Sequence, residues 1–185
     1  MSALADLARD VGVDERTLRR AVNEGTLRAT RPSPRKLDLP LSERRYVRQA
    51  WPLIAALRAA LRTEPNVRFA LLYGSAATGE DSPDSDVDVL VSLRDPDFSK
   101  LVALERRLTE RVGREVEVVR LEDAERDPVF FALAFEPGRV LVDRSGVGPA
   151  MRRRAARLGR EEPEREARRT RLALDRIREL TDAGA

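Results

Sequence analysis

Every position from Phe69 to Tyr73 is apolar, a short and sharply bounded run of the kind that fills a buried strand. We read residues 67–73 as that strand. After Gly74-Ser75 and a small-residue stretch, a second strand follows at 86–92. There Val87, Val89 and Val91 alternate with Asp86 and Asp88, which places the valines on one face and the aspartates on the other. Leu101, Leu104, Leu108 and Val112 then recur at helical spacing, predicting a helix from Asp97 to Val112 stopped by Gly113. Alternation returns in Glu115–Arg120, a third strand. An apolar helix is expected over Pro128–Phe135, with Phe130, Phe131 and Phe135 in the core, and a last strand over Val140–Val142.

Upstream, Leu4, Ala5, Leu7 and Ala8 have helical spacing, and Val11-Gly12-Val13 make a turn. Asp14 is the expected N-cap of a second helix, Glu15–Glu24, which Gly25 stops. Ser42 is the expected cap of a long helix ended by Pro65, with Val47, Ala50, Trp51, Ile54, Leu57 and Leu61 as its apolar stripe. Pro52 falls inside that stripe and predicts a kink or a break. From Ala150 onward the chain is rich in Arg and Glu, with helical spacing at Leu158 and again at Leu174, Ile177 and Leu180. That segment reads as a solvated helix stabilised by pairs three and four residues apart, or as a partner-binding helix.

The paired aspartates change the picture. Asp86 and Asp88 lie roughly 7 Å apart at Cα on one strand face, and like charges so placed repel. A divalent cation, which takes hard oxygen ligands, relieves that repulsion. The alternative is a polar edge strand with a solvated face. It accounts for the two acids but not for Gly-Ser one strand earlier, where a turn leaves room for phosphates against bare backbone. The chain has no His and no Cys, so disulfides and thiolate or imidazole metal sites are excluded and carboxylates are left for metal chemistry. The absence of Cys also suits a cytoplasmic protein. No signal peptide and no apolar run of spanning length is seen, so no membrane association is expected.

Gly74-Ser75, Gly79 and Ser85-Asp86-x-Asp88, taken in order, resemble the signature of the DNA polymerase β-like nucleotidyltransferase superfamily. The nearest subgroup is the minimal nucleotidyltransferases, which include antitoxin partners of HEPN toxins. The resemblance covers about Val67 to Val119. It implies an α/β (α+β) nucleotidyltransferase fold, a small mixed sheet packed on helices, and transfer of a nucleotide from an NTP, ATP being expected, to an acceptor hydroxyl. It also implies Mg2+ (or Mn2+) held by Asp86, Asp88 and a third acid, with Gly74, Ser75 and Ser85 binding the nucleotide. Glu117 falls at the third position, where the family usually has Asp. Glu115 points the same way and competes with it. A HEPN-type toxin is one implied partner.

The N-terminal stretch LADLARDVGVDERTLRRAVNEGTL resembles an excisionase- or MerR-like helix-turn-helix. It predicts an all-α unit that presents Arg16, Thr17, Arg19, Arg20 and Asn23 to DNA, with Arg28–Leu39 as a short basic wing. A helical adaptor without DNA is the competing reading. Residues 1–50 carry 11 basic and 7 acidic side chains, as do residues 151–185, while the middle of the chain carries 13 and 18. Basic flanks around an acidic centre suit nucleic acid, although 33 Arg against 2 Lys also suits a bias of genome composition. The expected organisation is a helix-turn-helix domain at 1–50, a nucleotidyltransferase domain at 51–145 and a charged helical tail at 146–185. A DNA-binding regulator carrying a non-catalytic nucleotidyltransferase fold is the rival function.

Overall fold

The computed structural model describes residues 3–33 and 36–161. Leu174, Ile177 and Leu180 lie outside the described residues. Helices α1 (Ala3–Asp10) and α2 (Glu15–Asn23) form the expected pair, burying Leu4, Leu7, Leu18 and Ala21. Asp14 occupies the N-cap position of α2 but makes no side-chain capping bond. The unit is not all-α, because β1 (Thr30–Ser33) and β2 (Lys36–Asp38) pair as an antiparallel hairpin where the wing was expected.

Helix α3 (Leu41–Arg62) begins one residue before the expected cap. Pro40 is its N-cap at φ −52°, and Ser42 already lies in the first turn. The helix runs unbroken through Pro52. Pro52 faces solvent, where water can satisfy the carbonyl it strands, while Val47, Trp51, Ile54, Leu57 and Leu61 on the opposite side are buried. Burial of that stripe outweighs the roughly 3 kcal/mol that a proline costs inside a helix.

The sheet contains β3 (Val67–Tyr73), β4 (Val87–Leu93), β5 (Val116–Arg120) and β6 (Arg139–Asp143), in the order β5-β4-β3-β6. β3 is antiparallel to β4 and β6, and β4 is parallel to β5. This is the small mixed sheet that the family resemblance implies. Helix α5 (Phe98–Val112) makes the crossover between the parallel strands, and the Asp97 carboxylate caps it by accepting from the Ser99 N–H. Together with α3 it covers the valine face of the sheet, and α1 packs on α2 and α3 in the same apolar cluster. The other face packs on α6 (Leu121–Ala124), α7 (Pro128–Phe135) and α8 (148–161) around Phe69, Leu71, Leu90, Phe131 and Phe135. Phe130, expected in the core, is only half-buried at the rim of this layer. No helix among the described residues is long and apolar enough to cross a membrane.

The N-terminal unit is joined to the sheet edge by hydrogen bonds. The Val140 N–H donates to the Gly25 carbonyl at 3.2 Å, and the Thr26 hydroxyl donates to the Val140 carbonyl at 2.5 Å. Arg58, buried on α3, donates to the Thr26 hydroxyl and to the Glu24 carboxylate. Arg58→Ala should therefore lower stability by about 2 kcal/mol, the cost of leaving buried partners unsatisfied. Arg62→Ala, an exposed arginine 3.5 Å from the same carboxylate, should stay within about 0.5 kcal/mol. Urea denaturation of the two variants measures the difference.

Candidate active site

β3, β4 and β5 bring the predicted residues to one end of the sheet. β3 ends at Tyr73, directly opposite Asp88 on β4, and Asp88 stands beside Glu117 on β5. Val87, Val89, Val116 and Val118 are buried on the opposite face, so the strand alternation that orients Asp88 and Glu117 is fixed by packing. Asp86 lies one residue before β4 and is exposed, not within a strand as expected. Glu115 precedes β5 and is exposed; its carbonyl accepts from the Val87 N–H at 2.9 Å, which sets it beside Asp86, whereas Glu117 stands beside Asp88.

Gly74 makes the closest approach in the site. Its φ is +66°, and a Cβ built there would lie 2.1 Å from Asp88 Oδ2. The absence of a side chain at 74 is what lets the Asp88 carboxylate lie against the backbone. Residues Gly74–Thr78 continue as a five-residue helix, α4, where the sequence suggested only a turn. Ser75, partly exposed, lines a cleft of about 310 Å3 with Tyr73, Gly74, Thr78, Phe130, Leu133 and other residues.

Two features were not found from sequence. Arg114, just before β5, clamps the segment that delivers Asp86. Its guanidinium donates twice to the Ser85 carbonyl, at 3.1 and 2.6 Å, and once to Asp81 at 2.7 Å. Its spacing from Glu117 carries no signal in one sequence. The second is Tyr73, which packs edge-on against Phe130 at 5.6 Å between ring centroids. Burial first, then the charges of Asp88 and Glu117, push its phenol well above the ordinary tyrosine range. Ser85 sits in a turn in which its hydroxyl accepts from the Ser82 N–H and bonds the Ser82 hydroxyl.

The acids press on one another. Burial, then the Glu117 and Asp86 charges, raise the Asp88 carboxyl above its ordinary value. As placed, no group of three or more acidic side chains among the described residues is close enough to hold one ion. The donor chemistry nevertheless fits Mg2+, which is commonly held by one or two carboxylates and completed by substrate phosphates and water.

The DNA-facing candidates are separate from this site. Arg16, Thr17, Arg19, Arg20 and Asn23 are exposed on α2. Arg19 pairs with Glu15, Arg20 pairs with Glu24, and Asn23 accepts from Arg31 of the wing hairpin.

Residues 56–146 match the family model described as polymerase beta, nucleotidyltransferase. Over those residues the chain carries a nucleotidyltransferase domain of the polymerase beta family. A toxin–antitoxin crystal structure solved with AMP-PNP shares the fold. It superposes with a TM-score of 0.52 at 20% identity, covering 65% of this chain and 98% of that one. The toxin–antitoxin MntA–HepT aligns with a TM-score of 0.49 at 18% identity, covering 66% and 98% of the two chains. A tri-AMPylated Shewanella oneidensis HEPN toxin in complex with MNT antitoxin aligns at 0.48 and 18%, covering 67% and 98%. A comparison with curated proteins finds no match.

The raised Asp88 carboxyl predicts a pH dependence. A carboxyl whose pKa is higher in the folded than in the unfolded state binds more protons when folded. Stability then falls as pH rises through the interval from the unfolded value to the folded one. In chelator, Asp88→Asn should therefore melt above wild type at pH 7, and the gap should close below about pH 4, where the carboxyl is protonated in both states. Thermal melts across pH 3–8 check the sign.

Proposed function

We propose that the protein is a Mg2+-dependent nucleotidyltransferase that moves an NMP from an NTP, ATP by preference, to a hydroxyl on a partner macromolecule. We further propose that it is the antitoxin-like member of a toxin–antitoxin pair with a HEPN-type toxin as partner. The observation that carries the catalytic reading is the placement of Asp88 in register with Glu117 and against a backbone left bare at Gly74. The polymerase beta family match over 56–146 supports the reaction class. The fold shared with a toxin–antitoxin structure solved with AMP-PNP supports the nucleotide and the kind of system.

In this reading Gly74 leaves room for the Asp88 carboxylate against the backbone, and the Ser75 hydroxyl donates to a phosphate oxygen. Asp86 and Asp88 are the residues that would hold Mg2+, with Glu117 completing the set. Neutralisation of charge on the transferring phosphate is the chemistry Mg2+ supplies when bound. A Glu117 carboxylate oxygen takes the proton of the attacking hydroxyl. The acceptor oxygen bonds to the α-phosphorus, the bond to the bridging oxygen breaks, and pyrophosphate leaves. Such transfer depends chiefly on positioning and electrostatics, so a chain without His can perform it.

Two experiments test the site. ATP with Mg2+ should raise the melting temperature of wild type, and the paired change Asp86→Asn with Asp88→Asn should abolish that rise while the protein stays folded. Glu117→Gln should keep most of the ATP-induced shift and lower transfer from labelled ATP at least about 100-fold. Glu115→Gln should have a milder effect. Equal transfer by wild type and Glu117→Gln removes Glu117 from the mechanism.

A second reading rests on α2 and its hairpin: residues 1–50 bind DNA through Arg16, Thr17, Arg19, Arg20 and Asn23. Replacing Arg16 and Arg19 with Glu should weaken DNA binding at low salt at least tenfold, and the wild-type affinity should fall steeply as salt rises. Unchanged binding in the double variant returns the N-terminal unit to an adaptor role. A DNA-binding regulator with a non-catalytic module is favoured if wild type binds DNA but transfers no nucleotide.

A further inference from the structure

α4 is too short to be stable alone: five residues barely repay the cost of nucleating a helix. The carbonyls of its last turn also need donors. The Ser75 carbonyl accepts from the Gly79 and Glu80 N–H groups at 2.9 and 3.1 Å. The next two carbonyls are met from outside the segment. The Tyr46 hydroxyl, on α3, donates to the Ala76 carbonyl at 3.0 Å, and Arg139 Nε, on β6, donates to the Ala77 carbonyl at 2.7 Å.

These donors are themselves buried and fixed. Arg139 is 3% exposed and Glu43 5%, and they form a two-pronged pair at 2.6 and 3.1 Å. The guanidinium lies over the Tyr46 ring, 3.4 Å from its centre, and burial pushes the Tyr46 phenol up to about 12. Arg139 also donates to the Thr26 carbonyl at 3.3 Å, and Glu43 accepts from the Arg28 N–H at 2.9 Å. Gly79, at the end of α4, lies so near that an added Cβ would sit 3.0 Å from the Tyr46 ring. A charged pair this deeply buried is weak evidence of stabilisation in itself, and here it connects three parts of the molecule.

We infer that Tyr46 and Arg139 are positioning residues for the nucleotide site, holding the Gly74–Gly79 segment from behind, and that the N-terminal unit reaches the site through them. The inference rests on the reading of Gly74 and Ser75 as nucleotide-binding. Neither Tyr46 nor Arg139 touches the substrate in this reading. They act through the backbone that carries Ser75, and Glu43, Thr26 and Arg28 tie that backbone to the helix-turn-helix unit.

Tyr46→Phe isolates the effect, because it keeps the ring under the guanidinium and the Glu43–Arg139 pair and removes one hydroxyl. Ile54→Val, a buried change on the same helix, serves as the control for general destabilisation. Both should shift melting by no more than about 4 °C. In the ligand-free protein, hydrogen exchange at the Gly79 and Glu80 amides should accelerate at least about fivefold in Tyr46→Phe and stay unchanged in Ile54→Val. The affinity for ATP with Mg2+ should weaken at least about fivefold in Tyr46→Phe alone, the equivalent of one lost hydrogen bond. Unchanged exchange in Tyr46→Phe overturns the inference, as does faster exchange with unaltered ATP affinity. A wild type that binds no ATP refutes the nucleotide reading instead, and the exchange measurement then decides alone whether Tyr46 holds the segment.

Discussion

The pairing of β3 with β4 places Tyr73 opposite Asp88, and the chain must leave β3 through the space the Asp88 carboxylate occupies. Only a residue without a side chain, at positive φ, allows both. Gly74 is therefore a constraint on the whole end of the sheet. A larger residue there would displace either the carboxylate or the strand end, and with it the relation of Asp88 to Glu117. Elsewhere in the sheet, valines buried at 87, 89, 116 and 118 lock the alternation that makes this geometry repeatable.

Around that constraint the chain spends buried charge unusually. Glu43, Arg58, Arg139 and Thr26 are buried polar residues, and they all serve the junction between the N-terminal unit, α3 and the β6 edge. Desolvating such groups costs stability unless every bond is satisfied, and among the described residues no buried side-chain polar atom lacks a partner. Networks of this kind favour one relative placement of the joined parts over its alternatives. The hydrogen bonds of Gly25 and Thr26 to Val140 make the N-terminal unit continuous with the sheet edge.

Much of this was legible in the sequence, for identifiable reasons. The strands expected at 67–73 and 86–92, found at 67–73 and 87–93, announced themselves because a buried run and a strict alternation survive any reasonable packing. Glu117 was reached through the family resemblance, which implies a third acid there, and the strand register sets it beside Asp88. The misread features depended on tertiary context. Pro52 does not break α3, because it happens to face water. Phe130 is apolar yet lies at the rim, because α7 turns it toward Tyr73. Ser42 looked like a cap, but Pro40 starts the helix earlier. The roles of Arg114, Arg139 and Tyr46 had no sequence signal at all, since each bonds to backbone carbonyls far away along the chain, and a carbonyl is the same at every residue.

The docking of Gly25 and Thr26 onto Val140 has another consequence. In a four-stranded open sheet the outer strands present unpaired backbone groups, a standing invitation for a foreign strand to add on. On the β6 side that invitation is partly withdrawn, because a turn of the same chain already occupies the donor and acceptor of Val140. A strand added along that edge would meet two backbone groups already paired at Val140, so the N-terminal unit closes part of the edge.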